Sequence, residues 1–206
     1  SKEMLEEDIK LYHLQEGTRV LTDFDAYDLN GNSLIDYIEW MVPHLSNQTY
    51  MIIYSADEDS FVNQNAPAVN YGSANNIIVS ESGGSYTAGL VKLDIGEIPS
   101  NATINSAKLK LYFNSSLTNP SNNLDISLAR VTSAWNEAGV TWSNRPSYTT
   151  SGSDKVSVSD NYGWIEWDAK EIVQGIVNGT YDNNGFALVP DLETAIKGLV
   201  FDPDGI

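Results

Sequence analysis

The side chains with the clearest chemical spacing lie between residues 28 and 39. Oxygen-bearing side chains stand at positions one, three, five, nine and twelve of this stretch: Asp28, Asn30, Asn32, Asp36 and Glu39. The backbone carbonyl of Leu34 falls at position seven. Because Ca²⁺ takes about six to eight oxygen ligands, this spacing can wrap oxygens around one point. The stretch predicts a calcium loop, with a solvated turn rich in Asp and Asn as the alternative.

Two features of this loop limit the predicted site. Ser33 stands at position six, where such loops carry glycine for a sharp turn. Only three of the five side-chain ligands are carboxylates, so we expect modest affinity. Pro43 leaves little room for a helix after the loop. We therefore expect a structural clip that holds calcium between strands, rather than a paired helical sensor.

Catalytic chemistry has little support in the sequence. The chain has no cysteine and only two histidines, His13 and His44, which both lie near the amino terminus. This excludes thiol chemistry, a three-histidine zinc site and a Ser-His-Asp site within the later region. Acidic residues are abundant, but no spacing selects a catalytic pair. We expect a protein that is not an enzyme.

Composition narrows the possible partners. The 206 residues are 41% hydrophobic, which suffices for one good domain and an appendage. The 28 acidic and 11 basic residues give a formal net charge of −17, which repels nucleic-acid phosphates and attracts cations. No apolar run reaches the roughly 18 residues that a membrane span needs. We expect neither a nucleic-acid partner nor a membrane span.

Four N-x-Ser/Thr sequons indicate the compartment. Their asparagines are Asn47, Asn101, Asn114 and Asn178. Sequons are glycosylated on the surfaces of secreted proteins. Together with the acidic composition, they favour an extracellular or cell-surface glycoprotein.

The hydrophobic pattern predicts two regions. Residues 1–49 predict an amino-terminal extension of strands and the calcium loop, whereas residues 50–206 alternate between short strands and turns. One helix is predicted near residues 169–177, with Asp168 as its cap. Many short strands with one helix predict an all-β fold, a jelly-roll-like β-sandwich.

One motif points to a family. Residues 135–146 contain a spaced set of residues: Trp135, Glu137, Val140, Thr141, Trp142, Asn144 and Pro146. This set resembles the signature of the DNRLRE family of extracellular β-sandwich modules. Residues 69–73, 89–94, 104–112 and 184–188 resemble further segments of that family in the same order. The resemblance covers about residues 50–201.

The resemblance implies a non-catalytic module, since some family members are similar to polysaccharide-binding modules and many lie within large surface proteins. Aromatic rings can stack on sugars, which makes Tyr71, Tyr86 and Tyr148 candidate ligand contacts. Arg145 is a candidate contact for an acidic sugar. For each of these residues, ordinary surface exposure or local pairing is the alternative.

Two further observations concern the two ends of the predicted sandwich. Residues 36–50 resemble a "YIEW-VPHLSNQT" junction of archaeal surface proteins. Family modules usually close with one more strand, and no matching segment follows residue 201. A truncated chain is one explanation. The other is donor-strand complementation, in which a neighbouring subunit supplies the strand.

These observations lead to two main hypotheses. The first is a structural subunit or module of a surface filament or adhesin, whose partners are head-to-tail copies of itself or other surface proteins. The second is a carbohydrate-binding module for an acidic or cell-surface polysaccharide. A non-catalytic part of a larger polysaccharide-degrading enzyme is a third possibility.

Overall fold

The structure is a computed structural model, and it describes most of the chain. The described ranges are residues 9–15, 18–29, 31–32, 35, 37–42, 50–53, 56–96, 98–116, 123–159, 162–191 and 197–202. The chain divides into two compact units, Ser1–Ser55 and Ala56–Ile206. No helix in the described ranges is long and apolar enough to cross a membrane.

The first unit consists of short antiparallel strands. They are β1 (Lys10–Gln15), β2 (Thr18–Leu21), β3 (Asp25–Tyr27), β4 (Tyr37–Glu39) and β5 (Tyr50–Ile53). One sheet has the order β2–β1–β5, and β3 pairs with β4 in a separate ribbon. The alternation of residues 9–14, the turn at 15–18 and the apolar residues of 19–21 predict a strand and its return strand, and these are present as β1 and β2. The sequence analysis placed β5 in the later region, but β5 pairs with β1.

The second unit is formed by ten strands and one helix in its described residues. These elements are β6 (Glu58–Asn63), β7 (Ile77–Ser82), β8 (Ser85–Lys92), β9 (Lys108–Ser116), β10 (Leu124–Val131), β11 (Tyr148–Thr149), β12 (Lys155–Val158), β13 (Gly163–Asp168), α1 (Lys170–Val177), β14 (Phe186–Pro190) and β15 (Lys197–Asp202). The predicted all-β sandwich with a short helix is confirmed.

A single antiparallel sheet curls to make both layers of the sandwich. Its order is β11–β10–β14–β8–β7–β15–β9–β13, with β12 on β10 and β6 on β8. The strand β8 links the layers, because its first residues pair with β7 and its later residues pair with β14. The main core lies between the layers, since inward residues of β7, β9, β10, β13, β14 and β15 pack together there.

Trp167 is the largest side chain buried in the main core. It is fully buried, and its indole Nε1 donates a hydrogen bond of 3.0 Å to the carbonyl oxygen of Ile126. Its ring also packs edge-on against Phe201, with centroids 6.0 Å apart. Burial of the indole thus leaves no unsatisfied N–H, which would otherwise cost about 1–3 kcal/mol.

A second, smaller core covers the opposite face of the β6–β8–β14–β10 layer. Small residues lie on neighbouring strands there, and Ala129 of β10 pairs with Ala187 of β14. The segment of residues 135–146 lies over them with Val140 buried and Trp142 packed against the cluster. This layer is therefore buried on both faces.

Two segments of the family resemblance meet at this second core. The Asn70 side-chain nitrogen donates hydrogen bonds of 2.7 Å to the carbonyl oxygens of Glu137 and Val140. Gly72 lies so close that a Cβ there would stand 2.2 Å from the Glu137 carbonyl oxygen. The turn at residues 69–73 therefore clamps the segment that carries the signature.

The helix and last strand agree with the sequence in position. The α1 cap is Ala169 rather than the predicted Asp168, whose carboxylate instead accepts the Lys170 N–H at 2.8 Å. The apolar pattern of residues 196–201 predicts a strand, which is present as β15 and pairs with β7 on one side and β9 on the other. Residues 203–206 lie outside the described ranges, so the missing closing strand stays a prediction.

We expect Gly72→Ala to destabilise the protein. Its methyl group would overlap the Glu137 carbonyl, and such overpacking costs about 1–3 kcal/mol of unfolding free energy. Urea denaturation measures the change. Gly96→Ala is the control, because its Cβ meets only the Asp94 carboxylate at 3.2 Å, and we expect a change within about 0.5 kcal/mol. Equal stability of both variants would contradict the clamp.

Candidate functional site

The outer face of β9 and β13 carries the most exposed tryptophan in the described ranges. Alternate side chains of a strand point to opposite faces. Trp167 points into the core, whereas Trp164, three residues earlier, keeps 53% of its surface exposed. The different parity of these two positions along a strand predicts from the sequence alone that one of the two indoles faces outward, and this is confirmed.

Strand pairing places a second aromatic ring beside Trp164. Trp164 lies directly opposite Tyr112 in the β13–β9 register. The two rings meet edge-to-face, with centroids 5.5 Å apart and an angle of 76°. Asp202 of β15 lies opposite Tyr112 on its other side. The three positions therefore form one row across neighbouring strands.

An ion cluster occupies the next rows of the same face. Glu166 lies opposite Lys110 in the strand register. Its carboxylate accepts hydrogen bonds from the ammonium groups of Lys108, at 2.6 Å, and of Lys110. We name the surface formed by Lys110, Tyr112, Trp164, Glu166 and Asp202 the aromatic face.

The hydrogen bonds within the ion cluster determine the protonation state of Glu166 on the aromatic face. Hydrogen bonds from Lys108 and then Lys110 lower the pKa of Glu166 to about 2, while partial burial opposes them. Glu166 is therefore ionised at neutral pH. Because both ammonium groups are held by this carboxylate, they are partly neutralised and fixed in position.

The arrangement suits a ligand that is apolar on one side and polar at its edges. A half-exposed indole offers a flat apolar surface, and the neighbouring carboxylates and ammonium groups offer hydrogen bonds. A sugar ring has this character, with C–H groups on its faces and hydroxyls at its rim. The aromatic face is therefore able to stack a sugar ring and bind its hydroxyls.

Three of the predicted ligand contacts come together elsewhere, around Trp142. The Tyr86 and Tyr148 hydroxyls lie 3.0 Å apart, and Tyr86 packs edge-on against Trp142 at 4.8 Å. The Arg145 guanidinium lies 3.9 Å from the Trp142 ring centroid and donates to the Trp142 carbonyl oxygen at 2.8 Å. Burial, followed by the contact with Tyr86, raises the pKa of Tyr148.

These contacts have a consequence for binding at the Trp142 cluster. The Arg145 guanidinium covers one face of the Trp142 ring, so that face is occupied within the protein. Tyr71, the fourth predicted contact, lies apart from the cluster and stacks on Phe61 with centroids 4.1 Å apart. The structure therefore does not gather the four predicted residues into one surface.

The predicted calcium loop is described only in part. Asn30, Leu34 and Asp36 lie outside the described residues. The Asp28 carboxylate accepts the N–H of Gly31 at 2.6 Å and that of Asn32 at 3.3 Å, so the loop bends back toward Asp28. Gly31 adopts a φ of 76°, which favours glycine.

The ribbon of β3 and β4 closes the base of this loop. Glu39 lies opposite Asp25, and the Tyr27 hydroxyl donates to the Glu39 carboxylate at 3.4 Å. The Glu39 charge raises the pKa of Tyr27. Within the ranges that can be described, no group of three or more His, Cys, Asp or Glu side chains converges on one point.

The described sequon asparagines are exposed but differ in their contacts. Asn178 accepts hydrogen bonds from the backbone N–H and hydroxyl of its own sequon residue Thr180, at 3.2 and 2.8 Å. The Asn114 side chain donates to the Asn76 side chain at 3.2 Å. Asn101 lies in an exposed turn, and Asn47 lies outside the described residues.

The sequence analysis did not select the aromatic face. The alternation of Lys108, Lys110 and Tyr112 with buried Leu109 and Leu111 was a usable signal, because it predicts which side chains face outward. It does not predict which strand lies alongside. The pairing of β9 with β13 was needed to bring Tyr112 to Trp164.

The fold and this face are compatible with one class of protein. Carbohydrate-binding modules include β-sandwiches with an exposed aromatic surface. The family model for carbohydrate-binding module family 96 matches residues 51–202, and the chain therefore belongs to that family. A search of curated proteins gave no match. Family membership agrees with the expectation that the chain is not an enzyme, since such modules bind without catalysis.

Proposed function

We propose that this protein binds a polysaccharide, at an extracellular location, through its aromatic face. The observation that carries the proposal is the 53% exposure of Trp164 on a regular sheet, while Trp167 nearby is fully buried. An exposed indole adds nothing to the core. Tryptophan is enriched where proteins contact ligands, because it combines a large apolar surface with one polar group.

Rigidity of the aromatic face supports this function. Six residues of β13 pair with β9, and the Glu166 ion cluster links the two strands through Lys110. The surface is thus ordered before a ligand arrives. Binding then loses little side-chain freedom, which lowers the entropic cost of association.

The proposal assigns a role to each group of this surface. The Trp164 ring stacks on the C–H face of one sugar, and the Tyr112 ring supports the indole edge-on. The Glu166 carboxylate accepts hydrogen bonds from sugar hydroxyls. Lys110 donates to ring or hydroxyl oxygens. Stacking provides affinity, and the hydrogen bonds set the orientation of the sugar.

We expect Trp164→Ala to weaken polysaccharide binding by about tenfold or more, which corresponds to about 1.4 kcal/mol. Affinity electrophoresis against a neutral glucan, a neutral mannan and a polyuronate measures the change. Tyr162→Ala is the matched control, because Tyr162 is 61% exposed but packs against Phe113. Loss of binding in Arg145→Ala, with normal binding by Trp164→Ala, would instead assign the site to the Trp142 cluster.

We also propose that residues 28–39 bind calcium. The spacing of their oxygen-bearing side chains supports this, as does the bend of the loop toward the Asp28 carboxylate. The ribbon of β3 and β4 brings Glu39, at position twelve, back to the base of the loop. Calcium would hold this loop closed and reduce the negative charge around it.

Asp28→Asn is expected to weaken calcium binding by about tenfold, because it removes one charge from the ligand set. The amide oxygen of the new side chain can still accept the N–H groups of Gly31 and Asn32. Isothermal titration with Ca²⁺ is the measurement. Asp23→Asn, an exposed acid outside the loop spacing, should titrate as the wild type does. Identical titrations for both variants would rule out this ligand set.

A second candidate function is assembly into a surface filament or adhesin. In the described ranges, β2 pairs with β1 alone, and its Val20 and Leu21 are 41% and 63% exposed. An edge strand with exposed aliphatic side chains is a template for pairing with another chain. The resemblances to DNRLRE modules and to the archaeal surface junction support this proposal, in which the neighbour is another copy.

If β2 is the assembly edge, Val20→Lys should abolish filaments in electron micrographs of the full chain, since edge lysines oppose strand pairing. Met41→Lys is the control, because Met41 is 83% exposed and lies outside any strand and outside residues 28–39. A chelator added to wild-type filaments tests whether the calcium loop contributes to assembly. Monomers in every wild-type sample would refute the filament hypothesis.

A further inference from the structure

A groove at one end of the sandwich lies apart from the aromatic face. Its cavity volume is about 670 Å³, and it lies between residues 94–96 and 98–100 on one side and the end of α1 with the loop that follows on the other. Ile98, Pro99 and Ile176 supply apolar lining, and Asp94, Asp182 and Asn183 supply polar groups. The groove shares no residue with the aromatic face.

The groove borders α1 at the end opposite to β13. The helix follows β13 directly, and the groove contacts its last turn at Ile176 and Val177. Trp164 lies near the other end of β13. Trp164 stands four residues before the end of β13, which is about 13 Å at 3.3 Å per residue. Beyond that end, Gln174 of α1 donates to the Ala102 carbonyl oxygen at 3.1 Å, so the helix packs on the segment that precedes β9. One short sugar unit is therefore too small to contact both surfaces.

Several contacts fix the loop that lines the groove. Tyr181 packs so closely on α1 that a Cβ at Gly175 would lie 2.2 Å from the Tyr181 ring. The Arg130 guanidinium lies 3.8 Å from the centroid of the same ring. The Asn183 side chain donates to the Leu93 carbonyl oxygen at 2.8 Å, which joins the two walls. The groove is thus preformed.

The charge of the lining selects the kind of ligand. Among the described residues of the lining, Asp94 and Asp182 are the acids, and none is a lysine, arginine or histidine. The carboxyl end of α1 adds a partial negative charge. An anionic ligand is therefore repelled. Hydroxyl groups, in contrast, donate hydrogen bonds to carboxylates, and C–H faces pack on Ile98 and Pro99.

We propose that this groove is a second saccharide subsite, which takes an uncharged segment of the polysaccharide and makes the module bivalent. This inference rests on the proposed function. Two separated subsites on one rigid unit raise the apparent affinity for a long chain well above that for either site alone. They also allow one module to contact two chains.

Asp182→Ala tests the groove. Asp182 is exposed and contributes only a backbone hydrogen bond to the fold, so the variant should fold normally. We expect it to lower the affinity for a neutral glucan or mannan about threefold to tenfold. Glu171→Ala is the matched control, since Glu171 is an exposed acid in the first turn of α1, outside the groove.

The outcomes separate the two proposals. The inference expects Trp164→Ala and Asp182→Ala each to retain part of the binding, and the double variant to lose it. Isothermal titration with a short neutral oligosaccharide should show two sites in the wild type and one in each single variant.

Two results overturn the second subsite alone. One is unchanged saccharide binding by Asp182→Ala. The other is a wild-type protein that prefers the polyuronate and loses this preference in Asp182→Ala. Ca²⁺ binding lost in Asp182→Ala, with saccharide binding intact, also overturns it. A wild-type protein that binds no polysaccharide overturns the proposed function as well.

Discussion

The sandwich depends on the contact between the Asn70 side chain and the segment of residues 135–146. One amide nitrogen bridges the Glu137 and Val140 carbonyls, which stand 67 and 70 residues away in sequence. Without this bridge, two partly buried carbonyls would lose their partners, at a cost of about 1–3 kcal/mol each. The bridge therefore helps to hold the segment over the second core, where apolar residues such as Leu90 are buried. It acts together with the Trp135 indole, which donates to the Asn184 carbonyl oxygen.

This contact explains the role of the residues that resemble the DNRLRE signature. The signature residues build and hold the cover of the second core: Trp135 donates to the Asn184 carbonyl oxygen, and Asn144 accepts the backbone N–H of Thr141. Such residues hold the fold together, whereas the proposed function assigns ligand recognition to side chains outside the motifs. Trp164 lies outside these motifs. The packing of the sandwich does not require its indole to be exposed.

The proposed sites differ in their local charge, and this charge bears on the ligands that they can bind. The formal net charge of −17 is spread over the chain, but on the aromatic face Glu166 is balanced by Lys108 and Lys110. A sugar can therefore approach that face without strong repulsion. The groove near Asp182 carries uncompensated acids within its lining and favours hydroxyl donors. A partly neutral face and an acidic groove both suit an uncharged chain, and the calcium loop would lower the remaining charge.

The sequence by itself determined most strands, the helix and the opposite facing of Trp164 and Trp167, because these follow from local periodicity and side-chain parity. It did not predict β6, where Ser60, Phe61 and Val62 are all buried, since a strand covered on both faces shows no alternation. Tertiary structure alone decided that Trp164 meets Tyr112 and that Tyr86 meets Trp142. Periodicity assigns a side chain to a face, but only the pairing of distant strands selects its neighbours, because those contacts join residues far apart in the chain.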